Sequence, residues 1–177
     1  MGRKTISFGL SKKSIENAIK ELRDYKEELN KKVEEFTVEL AKKGEIVALK
    51  CIEESPLGKT ITLRSEKTVD ETGCKVILIA TGKTIENEGY APFNTLLAVE
   101  FGAGIHHNPK QNPKSQEMGY GVGTFPGQTH AYEDGWYYVG KDDKIHYTRG
   151  VKATMPMYNA TVEIAEKIQE TAKEVFG

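Results

Sequence analysis

The chain has 177 residues and, at ~100–200 residues per domain, reads as a single domain. Lys plus Arg total 25 against 26 for Asp plus Glu, a net charge of −1, so there is no basic excess of the kind a general nucleic-acid binder carries. At 38% hydrophobic and 29% charged the chain is polar but not of disordered composition, and its longest aliphatic run, Val76 to Ala80, is five residues where a membrane helix needs about 20.

The start, Met1-Gly2-Arg3-Lys4-Thr5-Ile6, has neither the apolar stretch of a signal peptide nor the Ser or Thr a myristoylation signal needs at position 6. Cys51 and Cys74 form no CxxC, so both are expected to be reduced thiols that pack as small apolar residues.

The first element is an amphipathic helix. Ile15, Ile19, Leu22, Leu29, Val33, Phe36 and Leu40 share one face, and only Lys26 interrupts the stripe. The pairs Glu16–Lys20, Glu27–Lys31, Glu28–Lys32 and Glu39–Lys43 each place Glu four residues before Lys, the favourable order. Ser11 or Ser14 caps the start and Gly44 is expected to end the helix after Lys42-Lys43. Such a helix, about 45–50 Å long, outreaches a small domain, and a dimeric coiled coil is a rival use of its near-heptad stripe. Ile46 to Ile52 reads as a separate short helix, closed by Ser55-Pro56-Leu57-Gly58.

The period then changes to two. Thr60 to Arg64 alternates polar and apolar, and Cys74 to Ala80 is apolar on both faces after Lys75, as in a central strand. The turn-like Asp70-Glu71-Thr72-Gly73 joins them as an antiparallel hairpin. Leu22, Leu29 and Phe36 are expected to cover one face of the second strand. Asn94 to Phe101 fits a strand or a short helix. Residues 102–130 carry six glycines and three prolines, the composition of a long functional or irregular loop. Trp136 to Val139 and Ile145 to Thr148 flank Lys141-Asp142-Asp143 as a second hairpin. The last element is a helix from about Met155 to Phe176, with Thr154 and Pro156 at its start.

No motif assembles a reaction centre. Gly82-Lys83-Thr84 resembles the end of a phosphate-binding loop, but Ile77 stands where that loop needs glycine. The glycines between Gly119 and Gly127 miss the dinucleotide-binding spacing. His106, His107, His130 and His146 lack a metal-ligand spacing, and neither cysteine sits where a reactive thiolate is expected. No catalytic residue, metal or cofactor is therefore expected. A metal-dependent hydrolase using the loop histidines remains the alternative, and a sugar-binding surface on the aromatic hairpin a third class. The aromatics between Tyr120 and Tyr147 suit either a small satellite core or an intersubunit surface; Tyr120, Phe125, Trp136 and Tyr138 are the candidate anchors.

Leu97-Ala98-Val99-Glu100-Phe101-Gly102-Ala103-Gly104 resembles the A-x-V-E-F-G-T signature of the phage head–tail joining, or tail-completion, family (gene-product-ten-like minor tail proteins), with Ala103 in place of threonine. Lys152-Ala153-Thr154-Met155-Pro156-Met157-Tyr158-Asn159-Ala160 resembles that family's P-A-x-P-F-x-x-P-A lead-in to the final helix. Here Lys152 and Asn159 replace prolines and Met157 replaces phenylalanine. The segment from Gly121 to Ala131, followed by Gly135-Trp136-Tyr137-Tyr138, is similar to the subgroup in prophages of Gram-positive bacteria.

The resemblance marks Val99, Glu100, Phe101, Gly102 and Pro156 as family-motif residues. It implies one α+β domain over 1–177, an antiparallel sheet packed by a long N-terminal and a C-terminal helix, with an insertion at about 103–150. It further implies a non-catalytic component of the virion neck, made in the bacterial cytoplasm. The partners it implies are other copies of itself in a ring, hexameric in the family, head connector proteins, and tail-terminator or tail-tube proteins. DNA is only passing cargo and no membrane is involved. A tail-terminator protein of related fold is the nearest alternative.

Overall fold

The computed structural model describes residues 5–70, 73–86, 92–106, 134–139 and 142–177. The architecture is α+β, with three α-helices and four antiparallel two-stranded pairings among the described residues. Helix α1 spans Lys12–Glu53, a run of 42 residues and about 63 Å. Ser11 caps it, its side-chain oxygen accepting from the Ser14 amide at 3.3 Å. It ends before Ser55-Pro56, since Pro56 cannot continue the backbone ladder.

Gly44 does not end α1, and Ile46–Ile52 is not a separate helix; the two expected helices are one. A glycine costs about 1 kcal/mol inside a helix relative to alanine. Here that cost is set against a close approach. A Cβ at position 44 would lie 2.6 Å from Ile164 Cδ1 and 3.3 Å from the Ala160 carbonyl oxygen. Ala41, Gly44, Ala48 and Ile52 form a buried, mostly small-residue seam along α1, and the final helix α3 (Pro156–Phe176) lies along it. The two helices are antiparallel: Phe36 meets Phe176 with ring centroids 5.7 Å apart, while Asn159 Nδ2 reaches Cys51 Sγ at 3.5 Å. Lys43 Nζ bonds Glu174 at 3.1 Å on the flank.

Strands β1 (Ile61–Asp70) and β2 (Gly73–Gly82) form the expected hairpin, in register from Ile61↔Gly82 to Asp70↔Gly73. It is a two-stranded ribbon, so β2 is not a central strand. Cys74, Val76 and Leu78 share one half-buried face, and Val76 and Leu78 line an apolar groove with Phe36, Leu40 and Ile164. On the opposite face Ile77 is 41% exposed, though it also borders the groove, and Ile79 is half-buried. An apolar run on both faces suggested two covering layers; only one is present among the described residues. Of the α1 residues expected over this strand, Phe36 lines the groove, whereas Leu22 is exposed.

The ambiguous segment resolves into both readings. Phe93–Asn94 is a short strand, β4, paired with β3 (Thr84–Ile85), and Thr95–Phe101 is helix α2. Asn94 caps α2, its Oδ1 accepting from the Leu96 and Leu97 amides at 3.0 and 3.2 Å. The Gly82-Lys83-Thr84 turn is tied to the same helix, the Lys83 amide donating to Thr95 Oγ1 at 2.9 Å, which is an ordinary post-strand turn. Strand β5 (Ala103–Gly104) pairs with β8 (Gly150–Val151), and β6 (Trp136–Val139) pairs with β7 (Ile145–Thr148) as expected. Among the described residues Ala48, Thr95, Ala98, Val99, Phe101, Pro156 and Ala160 are fully buried and place the core where α2 meets the α1–α3 pair, with Thr171 also fully buried further along α3.

Candidate functional site: a carboxylate clamp and two exposed apolar surfaces

The segments 97–104 and 152–160 form one hydrogen-bonded unit, with Glu100 57 positions before Met157. Helix α3 begins with Pro156 at its first position, where the missing N–H costs nothing. Its cap position holds Met155, in the left-handed region at φ 50°, and Met155 supplies no side-chain cap. Thr154, expected at the helix start, is not the cap; its Oγ1 is buried without a hydrogen-bond partner among the described residues.

Glu100 of α2 supplies what is missing. Its Oε2 accepts from the Met157 amide and its Oε1 from the Tyr158 amide, both at 3.0 Å. The carboxylate is only 5% exposed. A buried negative charge needs such partners, and the first turn of a helix offers unsatisfied N–H groups and the positive end of the backbone dipole. Val99 closes the unit from the other side, its carbonyl accepting from the Thr154 and Met155 amides at 2.9 and 3.3 Å. Asn159 donates to the Thr154 carbonyl at 3.0 Å and so stitches the lead-in loop to the helix.

Gly102 ends α2 at φ 78°, and a Cβ there would collide with the His106 carbonyl. Val99, Phe101 and Pro156 are fully buried. The five motif residues thus act as a structural clamp between α2 and α3.

The interface candidates fall differently. Tyr120 and Phe125 lie outside the described residues. Trp136 and Tyr138 are on β6, their backbones paired with Thr148 and His146. Next to them, Tyr137 is 72% exposed and meets Tyr147 in a tilted ring contact, 5.1 Å between centroids and 55° between planes, with Ile145 also exposed. Period-two alternation along the two strands is the sequence signal that points to Tyr137 and Ile145. A second exposed surface is the N-terminal part of α1, where Ile15, Ile19 and Leu22 are 39%, 44% and 56% exposed.

Of the histidines, His106 is exposed, His107 and His130 lie outside the described residues, and His146 Nε2 meets Asp142 Oδ1 at 2.8 Å. That hydrogen bond, with a smaller contribution from the Lys144 amide, holds the Asp142 carboxyl below its ordinary range. Among the described residues no group of three or more His, Cys, Asp or Glu side chains could hold a metal ion, and no helix is long and apolar enough to cross a membrane. Comparison with protein-family profiles, curated proteins and solved structures finds no match to this chain.

Proposed function

We propose that this chain is a non-catalytic structural protein of the phage neck, joining head connector to tail as one subunit of a ring. The observation that supports this most is the Glu100 clamp. V-E-F-G and A-T-M-P are each too short to carry a family assignment alone. The structure gives them one joint role, with Glu100 holding the first turn of the helix that Pro156 opens. Two motifs that cooperate physically are a single, more specific signature.

The surfaces suit assembly. A ring requires contacts with neighbours that close by rotation, and the chain exposes apolar groups on the projecting part of α1 and on the β6–β7 hairpin. Tyr is a favoured anchor in such contacts. Tyr120, Phe125, Trp136 and Tyr138 remain the proposed anchors of the insertion, facing a neighbouring subunit, the head connector or the tail terminator.

The test is particle production from a strain carrying the gene, intact and deleted. The chain is expected to sediment with virions, and its deletion to leave filled heads and separate tails that the wild-type gene rejoins. Joined, infectious particles made without the chain would contradict the reading.

A further inference from the structure

We propose that the projecting N-terminal part of α1 pairs with the same segment of a second copy of this chain, antiparallel and about a two-fold axis. The inference stands on the helix alone and does not depend on the neck assignment.

The β1–β2 hairpin stands beside α1 at Glu27, where Glu27, Asn30 and Lys31 face Val69, Asp70 and Gly73 across a groove. N-terminal to that level the helix continues for 15 residues, Lys12 to Lys26, about 22 Å. Ile15, Ile19 and Leu22 are exposed there, while Ala18 on the flank is buried, and the spacing of the stripe is heptad: Ile15, Leu22 and Leu29 at one core position, Ile19 and Lys26 at the other.

The charges choose the orientation. In a parallel pair, Lys26 would meet Lys26 of the second copy in the core. Glu16 and Arg23, which flank the stripe, would face Ser11 and Ala18 and find no opposite charge. In an antiparallel pair centred between Lys20 and Glu21, Ile19 packs against Leu22 of the second copy, twice. Ile15 packs against the aliphatic stem of Lys26, whose ammonium can remain in water. Glu16 then faces Arg23 of the second copy, again twice. Sequence and exposure are thus self-complementary in one orientation only.

In this register Glu27 lies opposite Ser14 of the second copy. Leu10, 96% exposed, precedes the helix. A two-fold contact closes with two copies. Where the neck assignment also holds, the dimer is the free form that keeps the stripe covered until a ring neighbour displaces it.

The test is sedimentation equilibrium of the full chain across a wide concentration range, with circular dichroism to check that each variant folds. The wild type is expected to move from monomer to dimer. Leu22→Asp, at an exposed position, should keep its helix content and weaken dimerisation more than about a hundredfold. Glu16→Arg should weaken it roughly tenfold, and adding Arg23→Glu should restore it, because the swapped pair meets only in the antiparallel arrangement. A chain that stays monomeric at every concentration, or a dimer indifferent to Leu22→Asp, overturns the proposal. Failure of the charge swap to restore association overturns the antiparallel arrangement.

Discussion

Helix α1 carries one apolar pattern along its length and meets two different fates. From Phe36 to Ile52 its apolar and small residues face β2 and α3, and Leu40, Ala41, Gly44, Ala48 and Ile52 are buried. Towards the N-terminus Ile15, Ile19 and Leu22 are exposed, while Ala18 beside them is buried. Periodicity states that a face wants cover but not what covers it. Within this chain the cover depends on α3, whose position depends on Glu100. The C-terminal half of α1 therefore packs within the fold, and the N-terminal half keeps Ile15, Ile19 and Leu22 exposed.

Substitutions on the two sides of that division should differ sharply. The largest effect is expected at the core: Phe101→Ala, at a fully buried ring, should cost about 3–5 kcal/mol in urea denaturation. Glu100→Ala should cost about 3 kcal/mol, since it removes two hydrogen bonds to a charged acceptor. It should also specifically raise amide exchange at Met157 and Tyr158, which tells loss of the clamp from general loosening. Gly44→Val should cost about 1–3 kcal/mol by overpacking against Ile164 and the Ala160 carbonyl; wild-type stability in this variant would mean that α3 packs elsewhere. Ile19→Asn, in the projecting half, should change monomer stability by no more than about 0.5 kcal/mol while weakening association. A loss as large as that at Phe101 would mean that the stripe is already covered within one chain.

The smallest effect concerns pH. The Asp142 carboxyl is held below its ordinary range, so its contribution to the β6–β7 turn is fully present above the ordinary aspartate pKa and is lost as pH falls through the lowered one. Because the group is exposed, the change should be confined to the turn, visible as a shift of the Lys144 amide resonance and absent in Asp142→Asn.

Local features were readable before the fold. Period-two segments around Asp70–Gly73 specified the first hairpin, and Pro156 marked the start of α3. What escaped depended on distant partners. Gly44 looks like a helix stop until Ile164 is placed against it. Glu100 lies 57 residues before the first amide it holds, so no local capping pattern could name it. Two signs were nonetheless present: a carboxylate within the apolar run Leu96–Phe101, and a helix start whose cap position holds methionine. Read together, they describe a buried charge in need of donors and a helix in need of an acceptor. The same nonlocality made β2 resemble a central strand, because the alternation of Val76, Ile77 and Leu78 carries no count of the layers above and below.

The division of α1 is tested most directly by residue-resolved amide hydrogen exchange on the full chain at a concentration low enough for the monomer. The account predicts that amides from Leu40 to Ile52 exchange only through global unfolding, while those from Ile15 to Lys26 exchange through local opening, orders of magnitude faster, with a step near Glu27. Uniform protection along the whole helix would contradict it.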